Sequence, residues 1–156
     1  MDEIRIHGLG GDGVVRLSEM IGLAAITNNK WASSFPVYGT EIRGAAVKAF
    51  TRVDDKRITI RSYIYEPDYI ILLNDVLLEH PDVLQGISEN TVFLANMSCD
   101  NETVAYLRET LGCEVIVIDA TAMAIELIGR PITNTIMLGA FNAISELFPL
   151  ETLETV

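Results

Sequence analysis

Residues 8–13 near the start of the chain read Gly-Leu-Gly-Gly-Asp-Gly and directly follow the strand-like stretch 3–7. A helical pattern comes next, so a strand, a glycine turn and a helix succeed one another as in loops that cradle phosphate. In such loops Gly8 would allow the tight turn, Gly10 the close approach of a ligand, and Gly13 the close packing of helix and strand. The helix N-terminus adds backbone N–H donors and a positive dipole end. The candidate cofactor-binding residues are therefore Gly8, Gly10, Gly11, Asp12 and Gly13.

A second group of reactive side chains lies in residues 38–44, where Tyr38, Glu41 and Arg43 occur together with Gly39 and Gly44. A hydroxyl, a carboxylate and a guanidinium within six residues could form a polar binding site. Arg43 could hold a carboxylate or a phosphate through two parallel hydrogen bonds. The alternative is an internal pair between Glu41 and Arg43 that binds no ligand.

The surroundings of the glycine loop argue against the common nucleotide sites. A dinucleotide fold needs an acidic residue about 20 positions after the glycines to hold the ribose, but residues 31–37 read Trp-Ala-Ser-Ser-Phe-Pro-Val. The glycines are not followed by Lys and then Ser or Thr, which excludes a P-loop. Asp12 would repel an anion unless it faces away or caps the helix. Bound NAD is therefore not expected, and the glycines could serve close packing alone.

The cysteines and histidines do not form a catalytic or metal-binding pattern. Cys99 and Cys113 lack the spacing of a zinc or iron–sulfur site, and His7 and His80 are isolated. The sequence contains no Ser–His–Asp set, Cys–His pair or carboxylate dyad of useful spacing. We therefore expect the isolated chain to hold no metal or cofactor by itself and to be inactive.

Composition narrows the classes of partner. The chain has 156 residues, enough for one domain, and a net charge of −11. This charge argues against nucleic acid and anionic membranes as partners, because phosphate binding needs clustered cations. The sequence has no apolar run of the roughly 18 residues that a membrane helix requires. Two cysteines without a disulfide framework are typical of the cytoplasm, which is the expected location.

The hydrophobic pattern predicts an α/β fold, namely a three-layer α/β/α sandwich with a mostly parallel, Rossmann-like sheet. Continuously apolar runs predict buried parallel strands, and alternation on both sides of a short turn predicts an antiparallel hairpin at about residues 45–62. The last residues enter a further helix, which suggests a domain cut from a longer polypeptide. The predicted strands are 4–8, 69–73, 91–95 and 114–118, and the later helices 76–84, 101–111, 121–128 and 133–148.

Four motifs, in order, resemble the gamma subunit of the 2-oxoacid:ferredoxin oxidoreductases. Residues 4–15 resemble the opening of that subunit, which usually contains GxGGQG, and residues 34–50 look like its block SFPxYGPERRGAPVKAF. Residues 65–69 and 134–140 are also similar to segments of this family. The resemblance therefore spans nearly the whole chain, 1–156, as a single gamma-type domain.

The resemblance implies an enzyme complex that cleaves a 2-oxoacid on thiamine diphosphate and passes electrons through [4Fe–4S] clusters to ferredoxin. It commonly transfers the acyl group to coenzyme A. Thiamine diphosphate, magnesium and the clusters are implied to lie in partner subunits of alpha, beta and delta type. This chain would help to assemble the complex and shape the approach to its active site. The residues then expected along the substrate route or at a subunit interface are Tyr38, Gly39, Thr40, Glu41 and Arg43.

The sequence departs from the family pattern at three positions. Asp12 replaces the usual Gln, Thr40 replaces Pro, and Ile42 replaces the first Arg of an Arg-Arg pair. Losing a cation weakens the case for a coenzyme A-dependent enzyme and leaves open an oxalate-type member, which needs no acyl acceptor. A non-catalytic interaction domain and a free nucleotide-binding protein are the alternatives of another class.

Overall fold

The computed structural model describes residues 1–38, 45–98 and 101–156, which form a six-stranded sheet between two layers of helices. The strands are β1 (Asp2–Leu9), β2 (Trp31–Tyr38), β3 (Ala46–Asp54), β4 (Tyr69–Leu72), β5 (Val92–Asn96) and β6 (Glu114–Ile118). The helices are α1 (Val14–Thr27), α2 (Pro81–Leu84), α3 (Asn101–Leu111), α4 (Ala120–Ile128), α5 (Asn134–Ser145) and α6 (Leu150–Leu153).

The strands follow the order β2-β3-β1-β4-β5-β6. Strands β1, β4, β5 and β6 are parallel to one another, whereas β3 is antiparallel to both β1 and β2. The predicted fold class, with a mostly parallel sheet and an antiparallel portion, is confirmed.

The expected hairpin at residues 45–62 needs a correction in its second strand. Its first strand is β3, but β3 pairs with the earlier strands β1 and β2, and residues 57–62 are not a strand. Both edges of β3 are already occupied, by β1 and β2, so residues 57–62 have no strand edge to pair with. Their alternation of polar and apolar residues therefore does not reflect a sheet.

One helical layer covers the face of the sheet formed by alternate residues of β1 and β3. Ile4 and Ile6 of β1 and Ala49 of β3 are fully buried beneath Leu17 and Ile21 of α1. The apolar residues of α1 recur every three to four positions, which gives the helix one continuous buried face. Helix α5 extends this layer through Met137, Leu138 and Phe141.

The second layer covers the other face of the parallel strands. Ile70 and Leu72 of β4 and Phe93 of β5 pack against Val83 of α2 and Leu107 of α3. Since β4 and β5 are covered on both faces, their sequences are continuously apolar rather than alternating.

On the same face of the sheet, the side chains of two buried arginines lie over β1 and β3. Arg52 is 2% exposed; its Nε donates to Glu3 Oε1 at 2.7 Å and its Nη1 to the carbonyl of Ser62 at 2.8 Å. Arg5, 3% exposed, donates from Nη2 to the carbonyl of Val83 at 2.9 Å and from Nη1 to that of Ile64 at 3.4 Å. These bonds hold residues 62–65, which we call the strap, against the sheet. Gly86 lies directly beneath the strap.

Two helices are shorter than predicted, for local reasons. The expected helix at 76–84 is a 3-10 turn, Asp75–Leu77, followed by α2. Pro81 disfavours helical backbone at His80, which is extended at φ −69° and ψ 129° and instead caps α2 by accepting from the N–H of Asp82. Helix α5 ends at Ser145, because Glu146 adopts a left-handed conformation at φ 52°. Within the described residues, no helix is both long and apolar enough for a bilayer crossing.

Candidate functional site

The glycine loop connects the end of β1 to the start of α1, as the sequence predicted. Its conformation depends on Asp12, whose Oδ2 accepts from the backbone N–H of Leu9 at 2.7 Å and from Asn74 Nδ2 at 3.1 Å. The N–H of Asp12 in turn donates to the carbonyl of Leu9 at 3.0 Å. The carboxylate therefore closes the loop on itself and connects it to Asn74, two residues after β4.

Part of the donor capacity of the glycine loop is already used within the protein. The N–H groups of Leu9, Gly10 and Asp12 all donate to protein acceptors, and that of Gly10 bonds to the carbonyl of Ala45 at 3.0 Å. An anion at this loop would have to compete with these bonds and with the charge of Asp12.

Gly13 creates room for a side chain of α5 rather than for a strand. It has φ +87°, and a Cβ built there would lie 2.4 Å from Asn134 Oδ1. Asn134 opens α5, and its Oδ1 is buried without a hydrogen-bond partner. The glycine loop and residues 134–140 were noted in the sequence as separate motifs; the structure brings them into contact, which only the tertiary fold could reveal.

The second candidate segment is only partly described. Gly39, Thr40, Glu41 and Arg43 lie outside the described residues, so their expected role stays a prediction. Tyr38 is the last residue of β2 and is 66% exposed. Ala45, at the other end of the segment, is the residue bonded to Gly10. The two candidate loops are therefore neighbours at this end.

A cleft of about 390 Å³ opens beside them. Tyr38 and Ala45 line this cleft. Its polar lining comes from Lys48, His80 and Asp82, together with the buried His7. It lies at the carboxyl end of β1, the edge at which ligands bind in open α/β sheets. Sequence reasoning missed this set because its polar members come from β1, β3 and the start of α2, and no spacing in the sequence connects them.

Lys48 and Asp82 form an ion pair in the cleft. Lys48 Nζ donates to Asp82 Oδ2 at 2.5 Å, and this hydrogen bond lowers the pKa of Asp82. The Lys48 and Asp82 side chains are 26% and 48% exposed, so the pair is partly hydrated and contributes little to stability. An incoming carboxylate or phosphate could take the place of Asp82 on Lys48.

His7 is neutral in this setting. Burial, followed by the nearby charges of Arg5 and Lys48, lowers its pKa to about 3. Its Nε2 accepts from Arg5 Nε at 2.9 Å, so the proton of the neutral ring is on Nδ1. Arg5 itself stays protonated at neutral pH, since burial lowers its pKa only to about 10.

The depressed pKa of His7 predicts a loss of stability in acid. Between pH 6.5 and about 3 the unfolded chain binds a proton at His7 that the folded chain does not. The contribution is therefore fully present above pH 6.5 and is lost as the pH falls, at up to about 1.4 kcal/mol per pH unit from this one group. Urea unfolding of the wild type and of His7→Gln at pH 7, 6 and 5 measures it. The variant should show a shallower slope; equal slopes would contradict the assignment.

The described residues contain few groups that could act as a nucleophile or bind a metal ion. Cys113 is buried, and burial, with a smaller effect of Glu114, raises the pKa of its thiol, which makes it a poor nucleophile. The described ranges contain no group of three or more His, Cys, Asp or Glu side chains that could hold a metal ion. The arrangement is suited to binding and positioning an anion.

Known proteins share both the sequence pattern and the fold of this chain. The family described as pyruvate ferredoxin/flavodoxin oxidoreductase matches residues 3–156. "Pyruvate synthase subunit PorC" of Methanosarcina barkeri is 43% identical over 90% of this chain and 76% of its own length. "Pyruvate/ketoisovalerate oxidoreductases common subunit gamma" of Pyrococcus abyssi is 41% identical over 99% of this chain and 84% of its own.

A solved structure agrees with these relatives. The crystal structure of the pyruvate oxidoreductase subunit PORC of Thermotoga maritima superposes with a TM-score of 0.84 at 34% identity, over 99% of this chain and 82% of that one. The resemblance inferred from the four sequence motifs is thereby confirmed. The chain belongs to the pyruvate ferredoxin/flavodoxin oxidoreductase family, among its gamma-type subunits.

Proposed function

We propose that this chain is the gamma subunit or domain of a 2-oxoacid:ferredoxin oxidoreductase complex that acts on pyruvate. The observation that carries the proposal is the match over residues 3–156, together with relatives whose names specify pyruvate. Thiamine diphosphate, magnesium and [4Fe–4S] clusters would be held by partner subunits of alpha, beta and delta type, and ferredoxin would receive the electrons. The described residues of this chain offer no ligand set for a cluster.

Within this complex the chain would shape the approach to the active site. The bond between Gly10 and Ala45 supports this, because Ala45 is the first described residue after the segment in which Arg43 is expected to act. The neighbouring cleft offers Lys48, which could hold a carboxylate or a phosphate. A 2-oxoacid carboxylate and the phosphates of coenzyme A share this chemistry. Whether coenzyme A is used separates an ordinary pyruvate enzyme from the oxalate-type alternative.

Purification of the native complex through a tag on this chain tests the function. We expect thiamine diphosphate, iron and sulfide in the complex, and reduction of a viologen dye with pyruvate that depends on coenzyme A. 2-Ketoisovalerate, 2-oxoglutarate and oxalate complete the substrate panel, and the chain alone should be inactive. Activity of the isolated chain, or a purified chain without thiamine-containing partners, would refute the proposal.

Arg43→Ala should lower the turnover or the assembly of the complex while leaving the domain folded. The reason is the loss of the guanidinium that we expect at the substrate route or the subunit interface. Arg61→Ala, which removes an exposed cation outside the site, is the matched control. Steady-state kinetics and size-exclusion chromatography of both variants give the answer; identical behaviour of the two would remove Arg43 from the site.

Asp12→Asn should cost little stability and should raise the affinity of the loop for phosphate or coenzyme A. The Asn oxygen can still accept from Leu9 and Asn74, while the charge that competes with an anion is removed. Asp12→Ala is the control, because it removes the acceptor as well and should be clearly less stable. Calorimetric titration of the assembled complex with coenzyme A measures the change. Weaker binding to Asp12→Asn would identify Asp12 as a ligand contact.

A further inference from the structure

His7 and Lys48 lie opposite each other in the sheet. They are direct partners in the antiparallel pairing of β1 with β3. Side chains of such partners leave the same face of the sheet, with Cβ atoms about 4.5–5.5 Å apart. Both residues line the cleft at the carboxyl end of β1. The cleft therefore has an imidazole ring and an ammonium group side by side.

Arg5 decides which nitrogen of the His7 ring is left for the cleft. It lies two residues before His7, on the same face of β1, and its Nε donates to His7 Nε2 at 2.9 Å. Its Nη2 donates to the carbonyls of Val83 at 2.9 Å and Gln85 at 2.5 Å, so the guanidinium is held in place. A neutral ring that accepts at Nε2 carries its proton on Nδ1. The ring group left for the cleft is therefore the Nδ1–H donor.

This donor is open to a ligand. Among the described residues, no acceptor bonds to His7 Nδ1, and the sealed side-chain atoms without a partner are Asn134 Oδ1 and Ser145 Oγ. The unpaired Nδ1 therefore reaches the space of the cleft that His7 lines. Lys48 Nζ has three N–H donors, and Asp82 accepts one of them. Adjacent donors, one of them cationic, match a negatively charged oxygen.

We propose that His7 Nδ1–H and Lys48 together hold an oxyanion in the cleft, and that Arg5 is the positioning residue that fixes the His7 tautomer. The proposal rests on the proposed function for the source of the anion, which is either the carboxylate of a 2-oxoacid or a phosphate of coenzyme A. A ring that already carries its proton on Nδ1 donates to the anion and does not act there as a base. Burial and the charges of Arg5 and Lys48, the two cations near the ring, keep its pKa low; Asp82 and His80 are the other titratable groups beside it.

Nitrogen-15 NMR of the full chain tests the tautomer. The chain has two histidines, so a sample labelled at histidine and made without a histidine tag shows two imidazole rings, which His7→Gln assigns. We expect the proton of His7 on Nδ1. Sodium phosphate and sodium acetate, added as separate probes, should each shift this N–H signal to saturation, and Lys48→Met should weaken that response.

Two arginine variants test the positioning. Arg5→Lys keeps a cation but loses the Nε–H donor, so part or all of the His7 population should move its proton to Nε2. Arg52→Lys is the matched control, because Arg52 is also buried and bonds to the strap, but its printed partners do not include His7. It should lower stability without changing the His7 signals. Equal His7 spectra in the two variants would overturn the role of Arg5.

Kinetics of the assembled complex identify the source of the anion. His7→Gln should raise the KM of the bound ligand by about tenfold or more, with a smaller effect on kcat, because one hydrogen bond to a charged group is lost. His7→Asn restores a donor near the position of Nδ1 and should recover part of this loss. A raised KM for pyruvate identifies the carboxylate, and a raised KM for coenzyme A identifies the phosphate.

The NMR and the kinetic results fail separately from the proposed function. A wild-type His7 with its proton on Nε2, a ring that neither phosphate nor acetate shifts, or unchanged KM values in His7→Gln would each overturn this inference. An active complex would leave the proposed function standing in all three cases. A purified chain without thiamine-containing partners would refute the proposed function, while the NMR experiments would still decide whether the cleft holds an oxyanion.

Discussion

Gly86→Ala should destabilise the protein by roughly 3 kcal/mol or more, or prevent its folding. Gly86 has φ +73°, and a Cβ built there would lie 1.6 Å from the carbonyl oxygen of Tyr65. The left-handed conformation alone costs a non-glycine residue about 1–2 kcal/mol. The overlap adds more, because the opposing atom belongs to the backbone of the strap and cannot rotate away.

Gly112→Ala is the matched control for this substitution. Gly112 also has a positive φ, +64°, but a Cβ there meets nothing within 4 Å. It should therefore show the conformational cost without the overlap. Urea unfolding followed by circular dichroism compares the two variants. Equal losses of stability would show that the strap can move away from a Cβ at Gly86 at little cost.

Arg52→Met should cost about 2–3 kcal/mol, because Arg52 is buried and its removal leaves partly buried acceptors without their charged donor. The substitution leaves Glu3 without its partner and leaves the carbonyls of Ser62 and Tyr63 without their donor. The methionine fills much of the arginine stem's volume, so the loss reports the polar contacts rather than a cavity. The same unfolding experiment measures the effect.

Lys30→Met provides the comparison, because Lys30 pairs with Asp55, whose side chain is 81% exposed. Such a surface pair contributes about 0–1 kcal/mol. The double variant Arg52→Met with Glu3→Gln separates the effect of the unpaired charge from that of the unpaired carbonyls. It should recover part of the free energy of unfolding that Arg52→Met loses. A loss for Arg52→Met no larger than for Lys30→Met would mean that the strap does not depend on Arg52.

The parts of the fold that could be predicted are those with a local signal. Helix α3 and strand β6 begin and end at the predicted residues, because α3 has a helical pattern, β6 is a short apolar run and Gly112 separates them. The glycine loop was placed correctly for the same reason, since its glycines follow a strand and precede a helix.

The corrections concern features that depend on distant residues. Residues 57–62 carry a strand-like alternation, but β2 had already taken the free edge of β3. The arginine contacts that hold the strap join positions up to 80 apart in sequence, such as Arg5 and the carbonyl of Gln85. A single sequence does not reveal such pairs.

The candidate site also has one part with a local sequence signal and one part that only the fold brings together. The glycine loop could be found from spacing, whereas the cleft combines His7, Lys48 and Asp82 from three separate segments. His7 and His80 were interpreted as isolated because they are far apart in sequence; both line one cleft. The resemblance to the gamma subunits, rather than any spacing of catalytic groups, identified the family.

The order of strands has a consequence for synthesis on the ribosome. Strand β1 emerges first and lies between β3 and β4, so the antiparallel half β2-β3-β1 can close once residue 54 is available. Strands β4, β5 and β6 then join the same growing edge in the order in which they are made. Until each successor arrives, the edge strand presents unpaired backbone groups and apolar side chains, which is the state most prone to aggregation. A pause in synthesis between β4 and β5 would therefore prolong the exposure of the β4 edge on the ribosome, until residues 92–96 arrive to pair with it.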